Sequence, residues 1–122
     1  MAHADDSSML TSAMEECIQA CLDCHASCLC LARSCVHAGG SLAGPAHVTV
    51  LLDCADCCRT TANFMLRDSP LHARLCRLCA ELCAACEREC RDGADGNEAM
   101  LRCADACRRC AEWCERVAAV AA

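Results

Sequence analysis

Cysteines recur every three or four residues along most of this chain, and the stretches that carry them contain neither proline nor glycine. The run CRLCAELCAACEREC alone places five between Cys76 and Cys90. At about 100° per residue, this spacing holds side chains on one stripe of an α-helix, whereas a strand would distribute them over both faces. Cys17, Cys21, Cys24, Cys28 and Cys35 form one narrow band, with Cys30 on the opposite side. Cys76, Cys79, Cys83, Cys86 and Cys90 form a second, and Cys103, Cys107, Cys110 and Cys114 a third. Cys54, Cys57 and Cys58 add a shorter patch.

Helix punctuation separates these bands into four segments. The first starts near Ser8 to Ser12, where Ser12 with Glu15 matches a capping box, and stops at Gly39-Gly40. The second is introduced by Gly44-Pro45. The third begins at Ser69-Pro70, with serine as N-cap, and ends at Gly93; the fourth follows Gly96-Asn97. The predicted helices run over about 8–38, 46–67, 70–92 and 97–120, none with an internal proline or glycine. Acid–arginine pairs at i,i+4 support their outer faces: Glu87 with Arg91, Glu98 with Arg102, Asp105 with Arg109, and Glu112 with Arg116. Short connections between four similar segments predict an all-α fold, an antiparallel four-helix bundle forming one domain over 1–122. Its core is then lined by seventeen of the 18 cysteines. Leucine-type residues flank the thiols (Ile18, Leu22, Leu29, Val36; Leu71, Leu75, Leu78, Leu82) and predict helix–helix or subunit contacts.

The usual large core fillers are nearly absent, since the 122 residues include one Phe, one Trp and no Tyr. Cysteine must supply much of the buried face. So many cysteines often mark a secreted disulfide scaffold. The opening MAHADDSSML instead carries two aspartates where a secretion signal needs basic residues, with no apolar run after it, and predicts a cytosolic protein with reduced thiols. No segment is long enough to span a bilayer. The net charge is −6, and the eleven basic residues are arginines without a basic stripe, so neither nucleic acid nor a membrane is an expected partner.

A tube of thiols narrows the chemistry. Thiols at i,i+3 or i,i+4 have Cβ atoms about 5–6 Å apart, too far for a disulfide at about 3.5–4.5 Å. A Zn(Cys)4 centre carries a formal charge of about −2, and several along a buried axis need cations that the core positions do not offer. Iron–sulfur cysteines lie in loops, often with a following proline that no cysteine here has. Cu(I) is soft, accepts two or three thiolates and displaces one proton per ion, so filling the core changes its charge little. With each sulfur bridging two ions, capacity approaches roughly one ion per cysteine. No Cys–His–Asp constellation with a cleft suggests an enzyme. A metallothionein-like zinc or cadmium sequestration protein is the alternative, but such chains are loop-rich and fold around metal.

With these motifs the chain resembles the bacterial copper storage proteins over essentially its whole length. The matching elements are Cys17/Cys21, Cys24/Cys28, Cys54/Cys58, Cys79/Cys83, Cys86/Cys90, Cys103/Cys107 and Cys110/Cys114, between helix breaks near 39–45, 68–70 and 93–97. The resemblance implies storage of many Cu(I) ions inside a preformed bundle, for copper supply and tolerance, in a homotetramer of the cytosolic branch. It implies copper ions as the ligand and a copper chaperone or small-molecule thiol as exchange partner. Cys30, lying off the axis, joins His37, His47 and Met100 as outer candidates for copper contact.

The two bundle ends differ. One gathers Cys35, His37, His47, Cys90 and Met100, and is the preferred entrance; the other gathers Leu10, Met14, Phe64, Met65, His72 and Val117, which read as a hydrophobic plug. His3 and His25 read as solvated residues, and Met9 and Met14 as packing.

Overall fold

The computed structural model describes residues 10–121. They form helices α1 (Ser12–Ala38), α2 (Pro45–Leu66), α3 (His72–Ala94) and α4 (Glu98–Ala121), with a 3₁₀ turn at Gly40–Ala43 between the first two. No strand occurs among the described residues. The predicted extension of the first helix to residue 8, His3 and Met9 lie outside the described residues. Each helix packs on two neighbours, in the closed order α1, α2, α3, α4 and back to α1. Sulfur contacts show the antiparallel register: Cys17 meets Cys114, Cys21 meets Cys110, Cys24 meets Cys107 and Cys28 meets Cys103, at 3.5–3.7 Å. As residue numbers rise on α1 they fall equally on α4.

Several helix ends lie one or two residues from the positions that the sequence punctuation predicts. Thr11, not Ser12, caps α1: it is extended, and its Oγ1 accepts from Met14 N at 3.0 Å. Gly39, at φ 76°, ends α1 in a conformation that a side chain would strain. Ser69 does accept from Leu71 N (3.1 Å), but Leu71 sits at φ −96°, ψ 2°, so Pro70 and Leu71 form a turn and α3 starts at His72. Asn97 Oδ1 accepts from Met100 N at 3.1 Å and caps α4 as expected. Such a cap contributes about 1 kcal/mol.

Gly93 does not stop α3 but lies inside it, and Asp95, left-handed at φ 42°, terminates the helix. A Cβ at position 93 would stand 3.3 Å from Met100 Cε. Glycine is there to let the buried methionine of α4 approach.

On the surface, Arg91 pairs with Glu87 as expected, and Arg102 with Glu98 more loosely. The other two pairs do not form. Arg109 reaches Glu16 on α1, Asp105 pairs with Arg91 across the α3–α4 seam, and Arg116 stacks on Trp113. Contacts to neighbouring helices and to an aromatic face outcompete i,i+4 pairs that are worth only about 0.3–0.5 kcal/mol. No described helix is long and apolar enough to cross a membrane.

Candidate metal centre

Sixteen of the cysteines are buried, Cys57 is half-buried and Cys30 is exposed. All 18 are free thiols. The buried ones come from all four helices: five from α1, two from α2, five from α3 and four from α4. Because the band on each helix has helical period and neighbouring helices run antiparallel, the bands meet along one axis. The nearest sulfurs then belong to different helices rather than to successive turns of one.

The column is ordered in overlapping groups whose sulfurs lie within 4.8 Å of one another. Starting from the N-terminal end of α1, Cys17, Cys76 and Cys114 form a triad. Cys114 is shared with the next group, Cys21, Cys79, Cys110 and Cys114. Cys79 and Cys110 pass into a group with Cys58 and Cys83, and Cys58 and Cys83 into one with Cys24 and Cys54. Cys24 and Cys54 continue to Cys28 and Cys107. Cys28 then leads on to Cys86 at 3.9 Å and Cys103 at 3.7 Å. Every group shares sulfur with the next, so the site is one continuous ladder rather than separate centres.

The thiols bond to each other, with Cys54 donating to Cys83 at 3.6 Å and Cys79 to Cys58 at 3.7 Å. Proton sharing makes them unequal. Contacts with Cys107 and then Cys24 hold Cys54 below the ordinary thiol value, and contacts with Cys110 and then Cys114 do the same for Cys79. Cys83 is raised by Cys110 and then Cys24, and Cys35 by burial, with Cys103 second. Cys17 at one end is held low by Cys114, and Cys103 toward the other end by Cys107, so raised and lowered thiols are interspersed along the whole column.

Only two polar side chains are buried among the described residues, His47 and Thr61, and neither leaves a nitrogen or oxygen without a partner. Thr61 Oγ1 donates to Leu75 O and lies 3.8 Å from Cys57 Sγ. That contact marks where Cys57 departs from expectation. One residue before Cys58, it is turned about 100° around α2 and leaves the axis to Cys54 and Cys58.

At the C-terminal end of α1, His47 Nε2 lies 3.5 Å from Cys35 Sγ, while Nδ1 meets Glu89 Oε2 at 2.9 Å. With Nδ1–H donating to the carboxylate, Nε2 turns its lone pair toward the thiol. Cys90 and Met100 are buried near this end of α3 and α4, whereas His37 is exposed. The structure thus brings Cys35 and His47 into contact and leaves His37 outside. His25 is not a solvated residue: its Nδ1 bonds Ala55 O at 2.8 Å, tying α1 to α2.

Two contacts were not foreseen. Glu89 orients His47, and Met65 Sδ accepts from Cys76 Sγ at 3.8 Å at the other end of the column. Antiparallel register could have suggested the first, because it brings the start of α2 opposite the end of α3. The second depends on a side-chain conformation that spacing does not encode.

Sequence and structure comparisons agree with this arrangement. The profile of the family described as "Csp: Copper storage protein" matches residues 10–119. The uncharacterized cysteine-rich protein YhjQ of Bacillus subtilis is 38% identical over 104 residues, 77% of this chain and 92% of that protein. The Nmul_A1745 protein of Nitrosospira multiformis superposes with a TM-score of 0.81 at 38% identity, covering 88% of this chain and 96% of that one. A cytosolic copper storage protein from Streptomyces lividans, solved with five coppers, superposes with a TM-score of 0.80 at 34% identity, over 88% and 92% of the two chains. Thiol ladder, helical architecture and sequence converge on one assignment, and the chain belongs to the copper storage protein (Csp) family.

Proposed function

We propose that the chain stores many Cu(I) ions in its core and performs no catalysis. The sulfurs of Cys17, Cys21, Cys24, Cys28, Cys35, Cys54, Cys58, Cys76, Cys79, Cys83, Cys86, Cys90, Cys103, Cys107, Cys110 and Cys114 serve as ligands, with Cys57 at the margin. The observation that carries this reading is the unbroken sharing of thiols between successive groups, in a core without a buried arginine. Zn²⁺ in such a core would build up negative charge with nothing to offset it. Cu(I) with bridging thiolates stays near neutral, at roughly one ion per core thiol.

His47 and Cys35 form the mouth through which copper passes, assisted by Met100. Ions arrive from and leave to a copper chaperone or a small-molecule thiol in the cytosol, so that the store serves both supply and tolerance. Leu29, Val36, Leu71 and Leu78 are exposed hydrophobic residues, which supports a homo-oligomer, a tetramer by analogy with the family. Light scattering on the eluting protein tests that assembly.

Titrating the reduced protein anaerobically with Cu(I) against a competing chelator tests storage. Uptake of roughly sixteen equivalents is expected; saturation after a few would overturn the reading.

A further inference from the structure

We propose that Met65 is a thioether ligand for the copper at the N-terminal end of the α1 column, acting with Cys17, Cys76 and Cys114. This rests on the storage reading above. The three cysteine sulfurs lie within 4.8 Å of one another, and Cys76 Sγ is 3.8 Å from Met65 Sδ. Met65 is fully buried, so its sulfur is open only to the core and cannot collect ions from solvent.

Charge explains why a thioether suits this position. In a row where each Cu(I) takes two thiolates and each thiolate bridges two ions, the interior is neutral. A finite row has ends. If it ends on a thiolate, a negative charge is left in a core with no buried arginine. If it ends on copper, the last ion is one donor short, and a neutral soft donor completes its coordination without adding a further anion. At the opposite end the neutral donor beside the last thiol, Cys35, is the His47 imidazole. At this end it is Met65. Leucine would fill the same space without offering sulfur.

Selenium spectroscopy tests the assignment on full-length protein. Selenomethionine-labelled Met100→Leu protein, reduced and saturated anaerobically with Cu(I), is compared by selenium-edge X-ray absorption with the Met65→Leu/Met100→Leu double variant. Leucine for methionine conserves volume, so both variants should keep the fold. A copper neighbour in the selenium shell of Met100→Leu that is lost from the double variant, with a capacity lower by about one ion, is the expected result. Full copper uptake with no copper neighbour in Met100→Leu would overturn the Met65 ligand while leaving storage intact, as would a signal that persists in the double variant. Uptake of only a few ions would overturn storage and the ligand together.

Discussion

His47 and Cys35 face each other across the α1–α2 seam, Nε2 to Sγ at 3.5 Å, at the point where the thiol column nears the surface. The histidine is held from behind by Glu89 at 2.9 Å. Its imidazole can take an ion and hand it to the first thiolate without adding charge. Replacing His47 by Ala should slow copper uptake by about tenfold or more, and Glu89→Gln should slow it less, because it frees the ring orientation without removing the donor. Saturating capacity should change by no more than about one ion in either variant. Stopped-flow absorbance of Cu(I)–thiolate formation measures the rates, and equal rates in His47→Ala and unmodified protein would sink this role.

Cys24 belongs to two of the shared four-thiol groups, whereas Cys30 is exposed and belongs to none. Cys24→Ser should therefore lower saturating uptake by about two ions, against none for Cys30→Ser. Cys57→Ser should resemble Cys30→Ser more than Cys24→Ser. Metal analysis after anaerobic loading and desalting decides; equal losses at Cys24 and Cys30 would mean that the ladder is not the store.

The side-chain caps at Thr11 and Asn97 and the buried apolar residues between the helices need no metal to act, so the reduced, metal-free protein should give a strongly helical far-ultraviolet circular dichroism spectrum. A random-coil spectrum would instead favour folding around metal. Copper binding only the folded state should raise Tm with increasing occupancy. Leu51, fully buried on α2, should matter before any metal is present, and Leu51→Ala should cost about 2–5 kcal/mol in denaturant unfolding of the apo-protein.

Burial, and Cys103 second to it, holds the Cys35 thiol above its ordinary value. The neutral thiol is thus the form the apo fold favours: its contribution to stability is fully present below the ordinary value of 9.0 and is lost as pH rises through the raised one. Copper runs the other way, since it takes the thiolate and releases the proton. With one proton released per ion, apparent affinity should fall about tenfold for each unit of acidification. Chelator competition at about pH 8 and pH 6 measures this, and affinity independent of pH would exclude proton-coupled loading.

Much of the fold was legible because it rests on local rules. Three- and four-residue spacing, together with Gly39, Pro45 and Asn97, marks four helices, and the shortness of the connections makes neighbours antiparallel. The misread boundaries lie where several local signals compete. Thr11 and Ser12 are both good caps, and only the backbone selects Thr11; Ser69 caps a turn that Pro70 and Leu71 interpose before α3. Gly93 looked like a stop because its reason for being glycine, the approach of Met100, sits on another helix.

Periodicity is a property of one helix, so residue spacing alone puts the cysteines in stripes and leaves Cys30 off them. Which sulfurs become neighbours was decided by the tertiary structure, since contacts such as Cys17–Cys114 or Cys54–Cys83 depend on how far one helix slides along the next. The same sliding set Glu89 behind His47 and Met65 against Cys76. A stripe of thiols becomes a ladder only when four helices share one register.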